Sequence, residues 1–196
     1  MRFALFAALL LAACMEPREA APAGAEKAAP RVEPIELAQG CNQQRQAPVT
    51  FSNPARPDVI TVRAEGPSCD QAVLTFVLRN AEGDVLWAMA DTMRGMTISD
   101  PPFTDAQVSE FLRMWSEARS DRTGELPEWT EGAESLQAAH EDEGGVISTP
   151  FTRADYESNR ARNLPMLCML NGHESGQCLI IDPLSNAPTI MFFNGA

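Results

Sequence analysis

The stretch Gln71-Ala72-Val73-Leu74-Thr75-Phe76-Val77-Leu78-Arg79, then Asn80-Ala81-Glu82-Gly83, then Asp84-Val85-Leu86-Trp87-Ala88-Met89-Ala90 decides the fold class. Leu74, Phe76 and Leu78 recur at every second position, with Val73, Thr75 and Val77 between them. Strand side chains alternate between two faces, so this period of two predicts a β-strand. Asn80 to Gly83 is hairpin turn chemistry, because glycine takes positive φ without steric cost. The returning segment Asp84 to Ala90 is nearly all apolar, which predicts a strand buried on both faces. Upstream, Ile60, Val62 and Ala64 alternate with Thr61 and Arg63, predicting a strand from Val59 to Ala64. Three antiparallel strands therefore open the folded region.

Two helices follow. Thr104 is placed as an N-cap, Gln107 completes a capping box, and Phe103 can staple onto Val108. Val108, Phe111, Leu112 and Trp115 then form one apolar stripe. A second start signal has Thr152 as cap and Phe151 stapling onto Tyr156. Arg160 and Arg162 near its end suit the helix dipole. Residues 119–132 read as a polar loop, and Ala133 to Ala139 as a short helix. Pro165–Leu170, Gln177–Ile181 and Thr189–Phe193 form a second three-stranded meander. The order βββ-α-α-βββ predicts an α+β domain: antiparallel sheet from two meanders, packed with two main helices.

Composition narrows the function. The 196-residue chain has 27 acidic against 15 basic residues, a formal charge of −12. Phosphate binding needs clustered Lys and Arg, so a nucleic-acid partner is excluded. Seven acids lie within Glu125–Glu143: Glu125, Glu128, Glu131, Glu134, Glu141, Asp142 and Glu143, with no Lys or Arg among them. This stretch is either a solvated loop or a docking face for a cationic protein partner. No EF-hand spacing supports Ca²⁺ there. Trp129 sits among these acids, and Glu125, Glu128, Trp129 and Glu131 are the candidate interaction residues. Trp129 packs into the core on one reading and anchors an interface on the other.

No constellation carries catalysis. His173 lies in Gly172-His173-Glu174-Ser175-Gly176, but triad residues assemble from separate elements, not from one five-residue turn. His140 is the other histidine. No phosphate loop, dinucleotide fingerprint or zinc motif occurs, so neither cofactor nor metal is expected. Oligomeric state is not readable from the sequence.

The N-terminus is an address. Arg2 precedes the nine-residue apolar run Phe3 to Leu11, too short to span a bilayer, for which about 17–25 residues are needed. It reads as a signal-peptide core. Leu11-Ala12-Ala13-Cys14 follows, and these four residues resemble the lipobox of bacterial membrane lipoproteins. The resemblance implies cleavage of residues 1–13, lipid on Cys14, and membrane association through that lipid. Met15, rather than Asp, after the cysteine implies delivery to the periplasmic face of the outer membrane. The competing reading is a secretory signal cut near Ala21-Pro22-Ala23. Residues 14–40 carry Pro17, Pro22, Pro30 and Pro34 without apolar period, and read as a disordered tether. Within it, Ile35-Glu36-Leu37-Ala38 has some means to dock on the domain. Residues 41–196 form one globular domain on length grounds.

Cys41, Cys69, Cys168 and Cys178 remain, and four cysteines in an exported domain suggest two disulfides. Three connectivities exist. Equal spacing from a turn centred on His173 places Cys168 opposite Cys178, which favours Cys41–Cys69 and Cys168–Cys178.

The functional expectation is a lipid-anchored envelope protein without catalytic activity, working by binding or envelope support. The alternatives are an inhibitor of a cationic wall-degrading hydrolase such as lysozyme, resembling such inhibitors in format only, and an unrecognised hydrolase. Lipidation is checked directly. Mass spectrometry and membrane fractionation of wild type are expected to show lipid on Cys14, and Cys14→Ser to release the chain without added mass.

Overall fold

The computed structural model describes residues 40–139 and 146–195. The signal segment, Cys14, the tether and its Ile35–Ala38 run lie outside the described residues, as does His140. Two antiparallel sheets form the domain. The first has the order β1 (Cys41–Val49), β2 (Asp58–Gly66), β3 (Val73–Arg79) and β4 (Val85–Thr92). Helices α1 (Met93–Met96) and α2 (Asp105–Ser116) follow. The second sheet contains β5 (Arg119–Arg122), β6 (Val146–Ser148), β7 (Pro165–Gly172), β8 (Ser175–Ile181) and β9 (Pro188–Gly195), in the order β5-β7-β8-β9-β6. Helices α3 (Leu136–Ala139) and α4 (Arg153–Ala161) lie between β5 and β7 in the chain. The α+β class and both meanders stand, each meander being part of a larger sheet.

Four strands depart from the sequence reading: β6, which it did not include and which adds three residues at the edge beside β9, and three more for reasons connected with sheet edges. β1 is polar because its inward Gln43 and Arg45 reach sideways to α2 instead of filling a core. Gln43 Nε2 donates to the Asp105 carbonyl at 3.0 Å, and Arg45 Nη2 to Ser109 Oγ at 3.2 Å. β5, expected as loop, is four polar residues added to β7. β4, expected to be buried on both faces, is an edge strand with β3 as its sheet neighbour. Val85 is 51% exposed, and Trp87 and Met89 are only partly buried. Apolarity alone does not distinguish a central strand from an uncovered edge.

The local signals otherwise fold as expected. Thr104 and Gln107 make a reciprocal capping box on α2, and the Thr152 side chain accepts the Asp155 N–H on α4. Asp58 is fully buried, where its Oδ2 accepts the N–H groups of Phe51 and Ser52 at 3.0 and 2.6 Å. The carboxylate thereby satisfies the β1–β2 connection that would otherwise leave buried donors unpaired. Both favoured disulfides are present. Cys41–Cys69 ties the start of β1 to the short 3₁₀ turn after β2. Cys168–Cys178 joins directly paired residues of β7 and β8, with Cα atoms 4.0 Å apart.

Two hydrophobic clusters follow from this topology. The larger brings together Ile60, Val62, Leu74, Phe76 and Leu78 of the first sheet, Val108, Phe111, Leu112 and Trp115 of α2, and Leu167, Met169 and Leu179 of the second sheet. The smaller lies on the other face of the second sheet, where Met166, Cys178, Ile180 and Phe192 meet Leu126, Leu136 and Tyr156. The second sheet is therefore covered on both faces, and the first on one.

Trp115 joins these parts. Its ring centroid lies 5.4 Å from that of Phe76 and 5.5 Å from that of Phe111. Its Nε1 donates to the Leu170 carbonyl of β7 at 3.1 Å. Removing a buried Trp typically costs about 3–5 kcal/mol. Trp115→Ala is expected to lose stability of that order, read as a lower midpoint in urea unfolding with an unchanged slope.

Candidate functional site

Directly paired residues of an antiparallel ladder share a face. Across the second sheet, Arg119 pairs with Cys168, Cys168 with Cys178, and Cys178 with Phe192. A second row runs from Leu170 through Gly176 to Asn194. Cys168, Cys178 and Phe192 of the first row belong to the smaller hydrophobic cluster, whereas Leu170 of the second packs against the larger one. Leu126, Leu136 and Tyr156 cover part of the face that carries the smaller cluster.

Beside the covered part, where residues of the two clusters meet at β7, lies a groove of about 720 Å³. Its floor includes Cys168, Cys178, Leu170 and Phe192, and Met114 and Trp115 at the end of α2 form one wall. A Cβ at Gly176 would come within 2.8 Å of Asn194 Oδ1, so a larger residue there would displace the Asn194 side chain. The charged residues lining the groove are Glu117, Asp121, Glu125 and Glu174 against Arg119. Arg119 pairs with Asp121 at 2.9 Å, and Glu117 with Arg113 at 2.8 Å. Glu125 and Glu174 are exposed and add negative potential at the mouth. An apolar floor with an acidic rim suits a ligand that is apolar on one side and cationic on the other.

The structure separates the four interaction residues named from the sequence. Glu125 lines the groove. Trp129 does not, and is held inward: its backbone N–H donates to Glu157 Oε1 at 2.8 Å and its Nε1 to the Ala133 carbonyl at 3.1 Å. Its ring meets Tyr156 edge-on at 6.0 Å. Of the two readings of Trp129, the packed one describes it. Glu128 is exposed but lies 3.7 Å from Arg160 Nη2. Glu131 is exposed in a turn. Glu141, Asp142 and Glu143 lie outside the described residues.

The acidic stretch lacks basic residues in sequence, yet α4 supplies them in space. Arg160 Nε donates to the Leu126 carbonyl at 3.0 Å, and Arg160 Nη1 to Glu157 Oε2 at 2.6 Å. Arg153 Nη2 donates to the Trp129 carbonyl at 3.2 Å. Arg160 therefore ties down the loop over the sheet, a role beyond the helix dipole. Tyr156 completes the clamp by donating to the Pro127 carbonyl at 2.9 Å, and its burial pushes the hydroxyl pKa far up.

The remaining sequence candidates carry no site. His173 is exposed at the β7–β8 turn, and it does not line the groove. Among the described residues, the grouping of metal-type donors is Cys41, Cys69 and Asp105. Its two sulfurs are bonded to each other, so neither offers a thiolate. Among the described residues, no helix is long and apolar enough to cross a membrane. The groove itself was not legible in the sequence, because one wall includes the polar edge strand β5 and its floor joins three strands. The adjacent polar positions Arg119 to Arg122 carry no β-propensity signal that would have revealed it.

The loop clamp has a pH signature. Burial raises the Glu157 pKa, but the Trp129 N–H, Arg160 and Arg153 outweigh it, and its carboxyl sits below the ordinary range. Its stabilising effect is therefore complete above the ordinary glutamate pKa and is lost as pH falls through the lowered value. Glu157→Gln is expected to melt below wild type at neutral pH. The difference, followed by thermal unfolding, is expected to shrink as acid protonates the wild-type carboxylate.

The chain matches no family model, no curated protein and no solved structure.

Proposed function

We propose that this protein is a lipid-anchored binding module of a bacterial cell envelope, without catalytic activity of its own. Lipid on Cys14 would hold it at the periplasmic face of the outer membrane. Its groove would receive a basic, partly apolar segment of a partner protein. The groove carries this reading, with Cys168, Cys178, Leu170 and Phe192 on its floor and Glu117, Asp121, Glu125 and Glu174 around it.

Three further observations support it. Two disulfides suit an oxidising, exported compartment. The lipobox resemblance supplies an anchor. Ser175 is the one hydroxyl side chain lining the groove, and no histidine lines it. A cationic wall-degrading hydrolase such as lysozyme falls within the partner class, since long-range attraction to an acidic surface would steer it.

Calorimetric titration of the full chain with a basic amphipathic peptide tests the proposal, with an uncharged peptide of equal apolarity as control. Binding is expected for the basic peptide, weakening with added salt. Replacing Glu125 and Glu174 together by Gln is expected to reduce affinity roughly 2- to 30-fold, as two rim charges are worth about 0.2–1 kcal/mol each. Binding indifferent to both the substitutions and salt would remove the groove as the site. Lysozyme titrated the same way, with its activity followed, shows whether the partner includes that enzyme.

A further inference from the structure

We propose that the free edge of β4 pairs with β4 of a second copy of this chain, antiparallel about a two-fold axis. Two four-stranded sheets would then join into one of eight strands. The proposal concerns the opposite sheet from the groove and does not rest on it.

The backbone states the demand. β4 has one sheet neighbour, β3. Among the described residues, no backbone hydrogen bond outside that ladder reaches Val85 to Ala90. The outward N–H and C=O groups of this strand thus lack a protein partner, which makes them a template for another extended strand. The other three edges are blunted. β1 carries Pro48 and the α2-bound Arg45, β5 is the four polar residues Arg119–Arg122, and β6 is three residues long. β4 has eight residues, and Val85-Leu86-Trp87-Ala88-Met89-Ala90 contains no charge, Pro or Gly.

The side chains point to a second copy as the occupant. A two-fold axis normal to the sheet keeps each face continuous, so one residue must lie opposite itself. Centring on Ala88 or on Met89 overlaps the same length of strand, but only Ala88 sets Leu86 and Trp87 opposite apolar partners. Trp87 then faces Met89, Leu86 faces Ala90, and Val85 faces Asp91. Asp84 faces Thr92, so no acid opposes an acid across the join. On the outer face, β4 presents Ala88 and Ala90, paired within the sheet to Val77 and Thr75. Both alanines are exposed and small, leaving room for the approaching strand. The uncharged window also confines repulsion between two strongly acidic molecules to their flanks. A join made by one eight-residue strand edge is small, so the association is weak and concentration-dependent.

Sedimentation equilibrium of the full chain in mild detergent tests this, with Cys14→Ser measured alongside to remove lipid-driven association. A rise in mass with concentration is expected for both. Ala88→Lys puts two like charges opposite each other at the axis and is expected to abolish the rise while leaving the thermal midpoint near wild type. Opposed residues lie about 4.5–5.5 Å apart at Cα, within disulfide reach. Mild oxidation is therefore expected to link Ala88→Cys into a covalent dimer much faster than Ala90→Cys, which faces position 86. A monomer at every concentration, a dimer indifferent to Ala88→Lys, or equal linking at positions 88 and 90 would each overturn the proposal. So would capture of a different protein by Ala88→Cys in place of its own copy.

Discussion

Trp115 is the contact on which the architecture converges. Its ring packs on Phe76 of the first sheet and Phe111 of its own helix, while its indole N–H holds a β7 carbonyl. A large apolar side chain with one polar handle can join an apolar core to a specific backbone acceptor. Trp115 does both, and so fixes where the second sheet meets α2. The open groove begins at this junction, since the end of α2 becomes its wall. Stability and the candidate site thus share one residue.

The second sheet is covered unequally, and the groove lies where residues of its two clusters meet. One face packs on the large cluster; the other receives only the loop and helices between β5 and β7. Those elements bury little apolar surface of their own, so polar clamps hold them down. Arg160, Arg153, Glu157 and Tyr156 bind loop carbonyls or the Trp129 N–H. The clamp explains why arginines of an acidic protein turn inward. It also moves the interaction surface: Trp129 is engaged in packing, and the unscreened acids lie at Glu125 and Glu174 beside the groove.

Charge reads differently once it is placed. The chain without its leading Arg2 has 27 acidic and 14 basic residues, a formal −13. Within the described domain this excess is patterned. The groove mouth concentrates acids, whereas β4 exposes an uncharged edge on the opposite sheet. Net charge governs solubility and association kinetics, but only local charge can orient a partner.

Local physics made much of the fold legible. The period of two in Val73–Arg79, the caps at Thr104 and Thr152, and the symmetric spacing of Cys168 and Cys178 each depend on residues a few positions apart. So the sequence by itself determined the α+β class, both helix starts and the meander disulfide. Edges were decided only by the tertiary structure. The polar β1 and β5 become strands because neighbouring strands offer them hydrogen bonds, a gain invisible in their own composition. β4 stays half exposed although it is apolar, because Leu86, Trp87 and Met89 pack on the core while Ala88 and Ala90 face outward from the uncovered side of the sheet. The groove likewise depends on which residues of β5, β7, β8 and β9 share a face. That assignment rests on long-range register, which no local pattern encodes.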